Sequence, residues 1–373
     1  MSTVLSTPSV DVPETGPSRR LQSLDAYRGA IMFLLLCGGI FQSLRHVPGW
    51  NWLAEQNEHV EWKGCVFWDL IQPSFMFMVG VSMPFALGRR EARGDAWTSR
   101  FGYVVFRSLS LTALGIALDH FGADHLQIGF IRVLQQIAIA YLLTFFVVGR
   151  TLRTQATVAG ILLAAYQLAW MFNPFNGPGG PWAMGHDNLG SAFDQWLIGR
   201  NYSGYYVGLN AIPSTATLIF GVMASTVIRA ANTDVERRRV LRLLTLAGAL
   251  GVVAGLLLSP MFPLIKRIWT PSFAIYAGGW TTLFLAGFYG LIEVGQRRVW
   301  SIPLQIVGLN STAAYVLGNS FGGWFRSLSG AWFAPLSSLV GTNWFPVFQH
   351  LAFAVAAWGV LYWLYRRRIF FRL

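Results

Sequence analysis

The chain has 373 residues, 54% of them apolar and only 12% charged, about half the roughly 25% charged share of a soluble domain. Mean hydropathy is +0.47 and the formal net charge is +12, but the basic residues sit in short runs between apolar stretches, which argues against the clustered basic face that nucleic acid requires. Cys37 and Cys65 are the two cysteines, one in the first apolar stretch and one near the start of the second, so neither a disulfide framework nor a thiolate metal site is indicated.

Residues 1–20 are rich in Ser, Thr and Pro and end in Arg19-Arg20. They lack the apolar core and small-residue cleavage site of a signal peptide and read as a disordered cytoplasmic tail. The remainder, 21–373, reads as one transmembrane domain. A spanning helix needs about 20 mostly apolar residues, and such stretches occur at 27–45, 66–88, 101–119, 132–149, 156–173, 211–229, 240–259, 272–294, 302–321 and 347–365. The expected fold is therefore an all-α, polytopic bundle of about ten spanning helices.

Short cytoplasmic loops retain Lys and Arg, which tests that count. With both termini inside, 21 of the 28 basic residues fall in inner segments. The seven outer ones are Arg45, Lys63, Arg132, Arg200, Lys266, Arg267 and Arg326. One missed helix would invert every later loop and erase the asymmetry. All six histidines then lie in outer loops or at outer helix ends, so the titratable chemistry is expected outside. The longest outer segment, 174–210, contains Asn173-Pro174 at its start and Gly177-Pro178-Gly179-Gly180, the composition of a binding loop or lid.

The first helix opens with Ser23-Leu24-Asp25-Ala26-Tyr27-Arg28-Gly29. Ser23 or Asp25 can cap it by accepting its free N–H groups, and Arg28 can pair with Asp25 or receive an anion from the cytosol. In the second, Asp69 sits within an apolar run. An intramembrane carboxylate is costly and is by default functional or in need of a partner. His59 lies ten residues earlier, where a re-entrant turn can bring the two together; a carboxylate on one ring nitrogen fixes the tautomer and leaves the other as a base. A solvated loop histidine is the plainer alternative. Asp119-His120 and Asp124-His125 offer no ligand set of recognisable spacing, so no metal is expected.

These two stretches carry a resemblance. Ser23-Leu24-Asp25-x-x-Arg28-Gly29 and the pattern formed by His59, Trp62, Gly64, Asp69, Leu70, Pro73 and Phe75 are similar to the heparan-alpha-glucosaminide N-acetyltransferase family and its bacterial relatives. Val133-Leu134-Gln135, Lys266-x-x-Trp269-Thr270-x-Ser272, Gly308-Leu309-Asn310-Ser311 and Tyr365-Arg366-Arg367-Arg368-Ile369-Phe370 extend it from about residue 20 to 373. The resemblance implies a transmembrane N- or O-acetyltransferase that passes an acetyl group from cytosolic acetyl-CoA, or another acyl group from its acyl-CoA, to an amino sugar or saccharide hydroxyl on the far side. It implies His59 as the catalytic residue, with Asp69 as its orienting partner. Asp25 and Arg28 would serve the donor, and Trp62, Gln135, Lys266, Trp269 and Asn310 the acceptor. A bacterial inner-membrane location follows from the same relatives; a homodimer is left open. The chain departs from the pattern where Gly39 stands for an Asn, where Tyr206-Val207 precede Gly208-Leu209 without an acidic residue, and where Arg132 directly precedes Val133. Glu58, Glu61, Asp187 and Asp194 are the nearby carboxylates that can compensate. The rival expectation is a transporter or flippase for amino sugars or lipid-linked saccharides, to which Asp69 and Asn310 are equally suited; a non-catalytic scaffold is the third.

Overall fold

The computed structural model describes residues 21–120 and 128–371. The tail at 1–20 and the pair Asp124-His125 lie outside the described residues. Every regular element among those described is helical. In chain order the α-helices are α1 (Gln22–Leu36), α2 (Asn51–Gln56), α3 (Ile71–Ala92), α4 (Trp97–His120), α5 (Val133–Thr144), α6 (Leu152–Met171), α7 (Leu189–Ile198), α8 (Ala211–Arg229), α9 (Asp234–Leu258), α10 (Pro271–Tyr289), α11 (Ile302–Leu309), α12 (Ser311–Trp332), α13 (Ala334–Val340) and α14 (Phe345–Arg366).

Six helical stretches among the described residues are long and apolar enough to cross a membrane: Phe67–Ala92, Trp97–His120, Ser203–Arg229, Asp234–Leu258, Pro271–Val294 and Phe345–Arg366. The other four expected spans fall on helices that are shorter, broken or less apolar, namely α1, α5, α6 and the α11–α12 pair. Apolar side chains cover outward surfaces too: Leu246, Leu250, Val253 and Leu257 of α9 are exposed. Water would penalise that face by the area left uncovered; lipid does not.

With little hydrophobic driving force between helices in lipid, close packing depends on small residues. Gly80 of α3 and Gly221 of α8 meet so closely that a Cβ on either would collide with the other helix's backbone, at Leu218 and Phe77 respectively. Gly29 of α1 and Gly308 of α11 make the same contact against Leu304 and Asp25. In α9, Gly248, Gly251 and Gly255 accommodate Gly279 and Tyr276 of α10. These crossings lock the central helices in register.

Three sequence expectations change. The first helix starts at Gln22 rather than 27, so Ser23 and Asp25 lie inside its first turn, not at a cap. Its N-cap, Leu21, makes no side-chain cap bond; instead Ser23 N–H donates to Glu293 Oε1 at 3.2 Å, a capping group brought from the π-helical turn Gly290–Val294 that follows α10. The expected span 302–321 is interrupted at Asn310, whose backbone (φ −119°, ψ 41°) separates α11 from α12. The segment 174–210, expected as a loop, contains α7, whose N-cap Asn188 accepts from Ser191 N–H at 2.9 Å.

Candidate functional site

Two loops build the centre. The first, 57–66, leads into the 3₁₀ turn Phe67–Leu70 that precedes α3. Asp69 is fully buried, and its Oδ2 accepts from Val66 N–H at 3.2 Å and Val60 N–H at 3.4 Å. One carboxylate oxygen thus closes the loop on itself. The other, Oδ1, lies 2.7 Å from His59 Nδ1. A carboxylate can only accept, so Nδ1 carries the proton and Nε2 keeps its lone pair.

The second loop, 259–270, supplies Lys266. Thr270 Oγ1 donates to Pro263 O at 2.8 Å and accepts from Ile265 N–H at 3.1 Å, while Ser272 Oγ donates to the same carbonyl at 3.2 Å. Trp269 adopts a left-handed φ of 52°, is fully buried, and donates its indole N–H to Thr217 at 3.3 Å. The Thr and Ser of the motif therefore hold the turn, and the Trp wedges it into the bundle. Gly64 N–H donates to Leu264 O at 2.8 Å and Arg267 reaches Val60 O at 3.5 Å, which staples the two loops together.

Joined this way, they place the buried Lys266 Nζ 3.1 Å from His59 Nδ1 and 3.4 Å from Asp69 Oδ1. With the proton on Nδ1, the first contact is an ammonium beside a ring, and the second is the ion pair. Burial, then the Lys266 charge, hold His59 below the ordinary imidazole value against the opposing pull of Asp69. Burial also lowers Lys266, with Asp69 acting in the opposite direction. The neighbouring Cys65 thiol is pushed up to about 12, chiefly by burial, which makes it a poor nucleophile. The result is a neutral, oriented imidazole with one free nitrogen beside a buried ion pair. Such a group can accept a proton or attack a carbonyl.

His59 lines a cavity of about 570 Å³ with Gly39, Gln42, Trp68, Arg326 and His350. A second, larger cavity of about 640 Å³ lies among α1, α3, α4, α5 and the α11–α12 break. Asp25, Arg28, Arg89 and Arg107 line it together with Val133, Leu134 and Tyr315; Arg28 and Asp25 are 3.5 Å apart.

The remaining expected site residues are distributed differently. Trp62 is buried, donates to Trp182 O at 2.9 Å, and packs with Tyr166, Trp170, Val207, Ile265 and Ile268, so it ties the 174–210 segment to the loop that carries His59. Gln135 is buried in α5 with its Nε2 3.4 Å from Asp119 Oδ2, and Asp119 is also ion-paired with Arg132. Asn310, at the break between α11 and α12, donates its amide to Ile369 O and accepts from Phe371 N–H, both at 3.0 Å.

Three further polar residues carry no sequence signal of their own. Asn210 Nδ2 donates to Arg267 O at 3.3 Å and joins Gln136 and Gln72 in a polar chain behind the centre. Asp194, one of the possible compensating carboxylates, accepts from Gly208 N–H at 3.0 and 2.9 Å through its two oxygens, and burial raises it to about 6. Glu58 is ion-paired with Arg45. Among the described residues no group of three His, Cys, Asp or Glu side chains is arranged to hold a metal ion.

Residues 20–250 match the family model described as heparan-alpha-glucosaminide N-acetyltransferase, catalytic. No curated protein sequence matches the chain.

Proposed function

Because this chain belongs to the heparan-alpha-glucosaminide N-acetyltransferase family, a family of membrane acetyltransferases, we propose that it transfers an acyl group from cytosolic acyl-CoA to a saccharide amine or hydroxyl on the outer face. The observation that carries this reading is the Asp69-oriented His59, held neutral beside Lys266, with Nε2 free at the wall of a cavity. A thioester is a good acyl donor, and a positioned imidazole is suited to its transfer either as base or as acyl carrier.

The donor's phosphates would be received where Arg28, Arg89 and Arg107 line the larger cavity, since guanidinium groups match phosphate oxygens in charge and geometry. The excess of positive charge on the segments read as cytoplasmic supports entry from that side, and with it an inner-membrane protein whose termini face the cytosol. The acceptor would bind among Gln42, Trp68 and Arg326, which combine an aromatic face with polar side chains.

The test is purified protein with radiolabelled acetyl-CoA and glucosamine. Transfer that falls at least about 100-fold in His59→Ala, the scale of a lost general base, supports the reading; undiminished transfer removes His59 from the mechanism. Accumulation of glucosamine in proteoliposomes without CoA would favour a transporter instead.

A further inference from the structure

Gly39 and His350 are neighbours in the lining of the cavity that His59 also lines. Gly39 has φ +78°, a left-handed backbone that glycine adopts without strain. A Cβ there would lie 3.2 Å from Gln42 Oε1 and 3.5 Å from His350 Nε2. A side chain at position 39 would therefore press on Gln42 and meet the ring of His350, which reaches the cavity from α14.

The tautomer of His350 is fixed as firmly as that of His59. Its Nδ1 is 2.8 Å from Pro346 O, one turn earlier in α14. A carbonyl oxygen only accepts, so Nδ1 carries the proton and Nε2 keeps its lone pair, next to Gly39 in the cavity lining. Two imidazoles thus face one chamber, each tied by Nδ1–H to an acceptor and each with Nε2 free. His59 has a carboxylate behind it, which balances a positive ring; His350 has a neutral carbonyl.

We propose that His350 is a second catalytic histidine, which takes the acceptor's proton while His59 carries the acyl group; this rests on the acyltransferase reading above. In the first step His59 Nε2 attacks the thioester carbonyl, the C–S bond breaks and CoA leaves as thiolate. Asp69 balances the resulting acyl-imidazolium. In the second step the acceptor's nitrogen or oxygen attacks the acyl carbon, and the bond to Nε2 breaks with its electron pair returning to His59. The acceptor's proton passes to His350 Nε2 and from there to outer water. The sum is acyl-CoA plus acceptor giving acylated acceptor, CoA thiolate and one proton. A small residue at 39 is what lets the acceptor and His350 share the chamber.

The experiment follows the two half-reactions separately with radiolabelled acetyl-CoA. In His350→Gln, label still appears on the protein, and its release onto added glucosamine slows about 100-fold or more, the range of a lost general base. In His350→Gly, added imidazole restores release, a response that a purely structural residue would not give. Persistence of protein labelling shows that both variants fold. Release in His350→Gln within threefold of wild type overturns the assignment, as does His350→Gly unresponsive to imidazole. Absence of transfer in the wild-type protein overturns the acyltransferase reading itself, whereas wild-type transfer without any labelled protein overturns the division of roles between the two histidines.

Discussion

Replacing Lys266 by Met removes the ammonium from a pair that is almost wholly buried, with Lys266 and Asp69 side chains 5% and 1% exposed. Removing one partner of such a pair costs about 3–5 kcal/mol, because the other charge is left without compensation. Asp69 keeps His59 and two backbone N–H groups, so the expected loss is at the lower end, about 3 kcal/mol. The charge matters to chemistry as well. Lys266 is one of the influences that lower His59, so in Lys266→Met the ring is protonated at a higher pH and the acid limb of activity moves up. The companion Asp69→Asn/Lys266→Met removes both charges and is expected to recover most of the stability, as neutral replacements of buried pairs often do. It should recover none of the activity, because an Asn offers no carboxylate to orient and balance His59. Denaturation in detergent of the wild type, the two single variants and the double variant yields the coupling energy directly. A Lys266→Met cost below about 1 kcal/mol, or a double variant as unstable as the sum of the singles, would refute the buried-pair argument.

Wild-type activity should persist below the pH at which an ordinary imidazole is half protonated, since burial holds His59 low; a pH–rate profile with an acid limb above that point would contradict it. Asp194 has a folded value of about 6 against an ordinary 3.8. Its contribution to stability is therefore fully present below 3.8 and lost as pH rises through about 6, a component that melting curves should no longer contain in Asp194→Asn. Gly80→Ala puts a methyl into the backbone of α8; overpacking of this kind costs about 1–3 kcal/mol, visible as a lower melting temperature in detergent. Asn310→Ala leaves Ile369 O and Phe371 N–H without their side-chain partner, and limited proteolysis should then cut the C-terminal segment sooner.

Much of the centre was legible because it is local. His59 and Asp69 are ten residues apart on one loop, and a buried carboxylate announces itself inside an apolar run. Lys266 is 207 residues from His59, and residue type alone suggests an interface anchor; only its place in a family-like motif marked it, and only folding shows that it completes the ion pair. His350 was invisible for the opposite reason: Gln349-His350 in the first turns of a mostly apolar helix has the pattern of membrane-interface residues. The cap on α1 misled the sequence reading because Ser23 and Asp25 are good capping types, while the group that accepts from Ser23 comes from Glu293, 270 positions away. Asn310 was read as a possible site residue because a polar side chain within an apolar stretch needs a partner. Its partners turn out to be backbone atoms of the chain's last described residues.

That last tie bears on how the protein should be handled. Phe371 lines the cavity that holds Arg28, Arg89 and Arg107, and Asn310 fastens the adjoining backbone across the break between two helices. The stretch 369–371 is thus part of the chamber's wall. A purification tag fused there hangs from that wall, and a truncation before Ile369 opens it, so an inactive preparation of either kind would report on the alteration and not on the chemistry at His59.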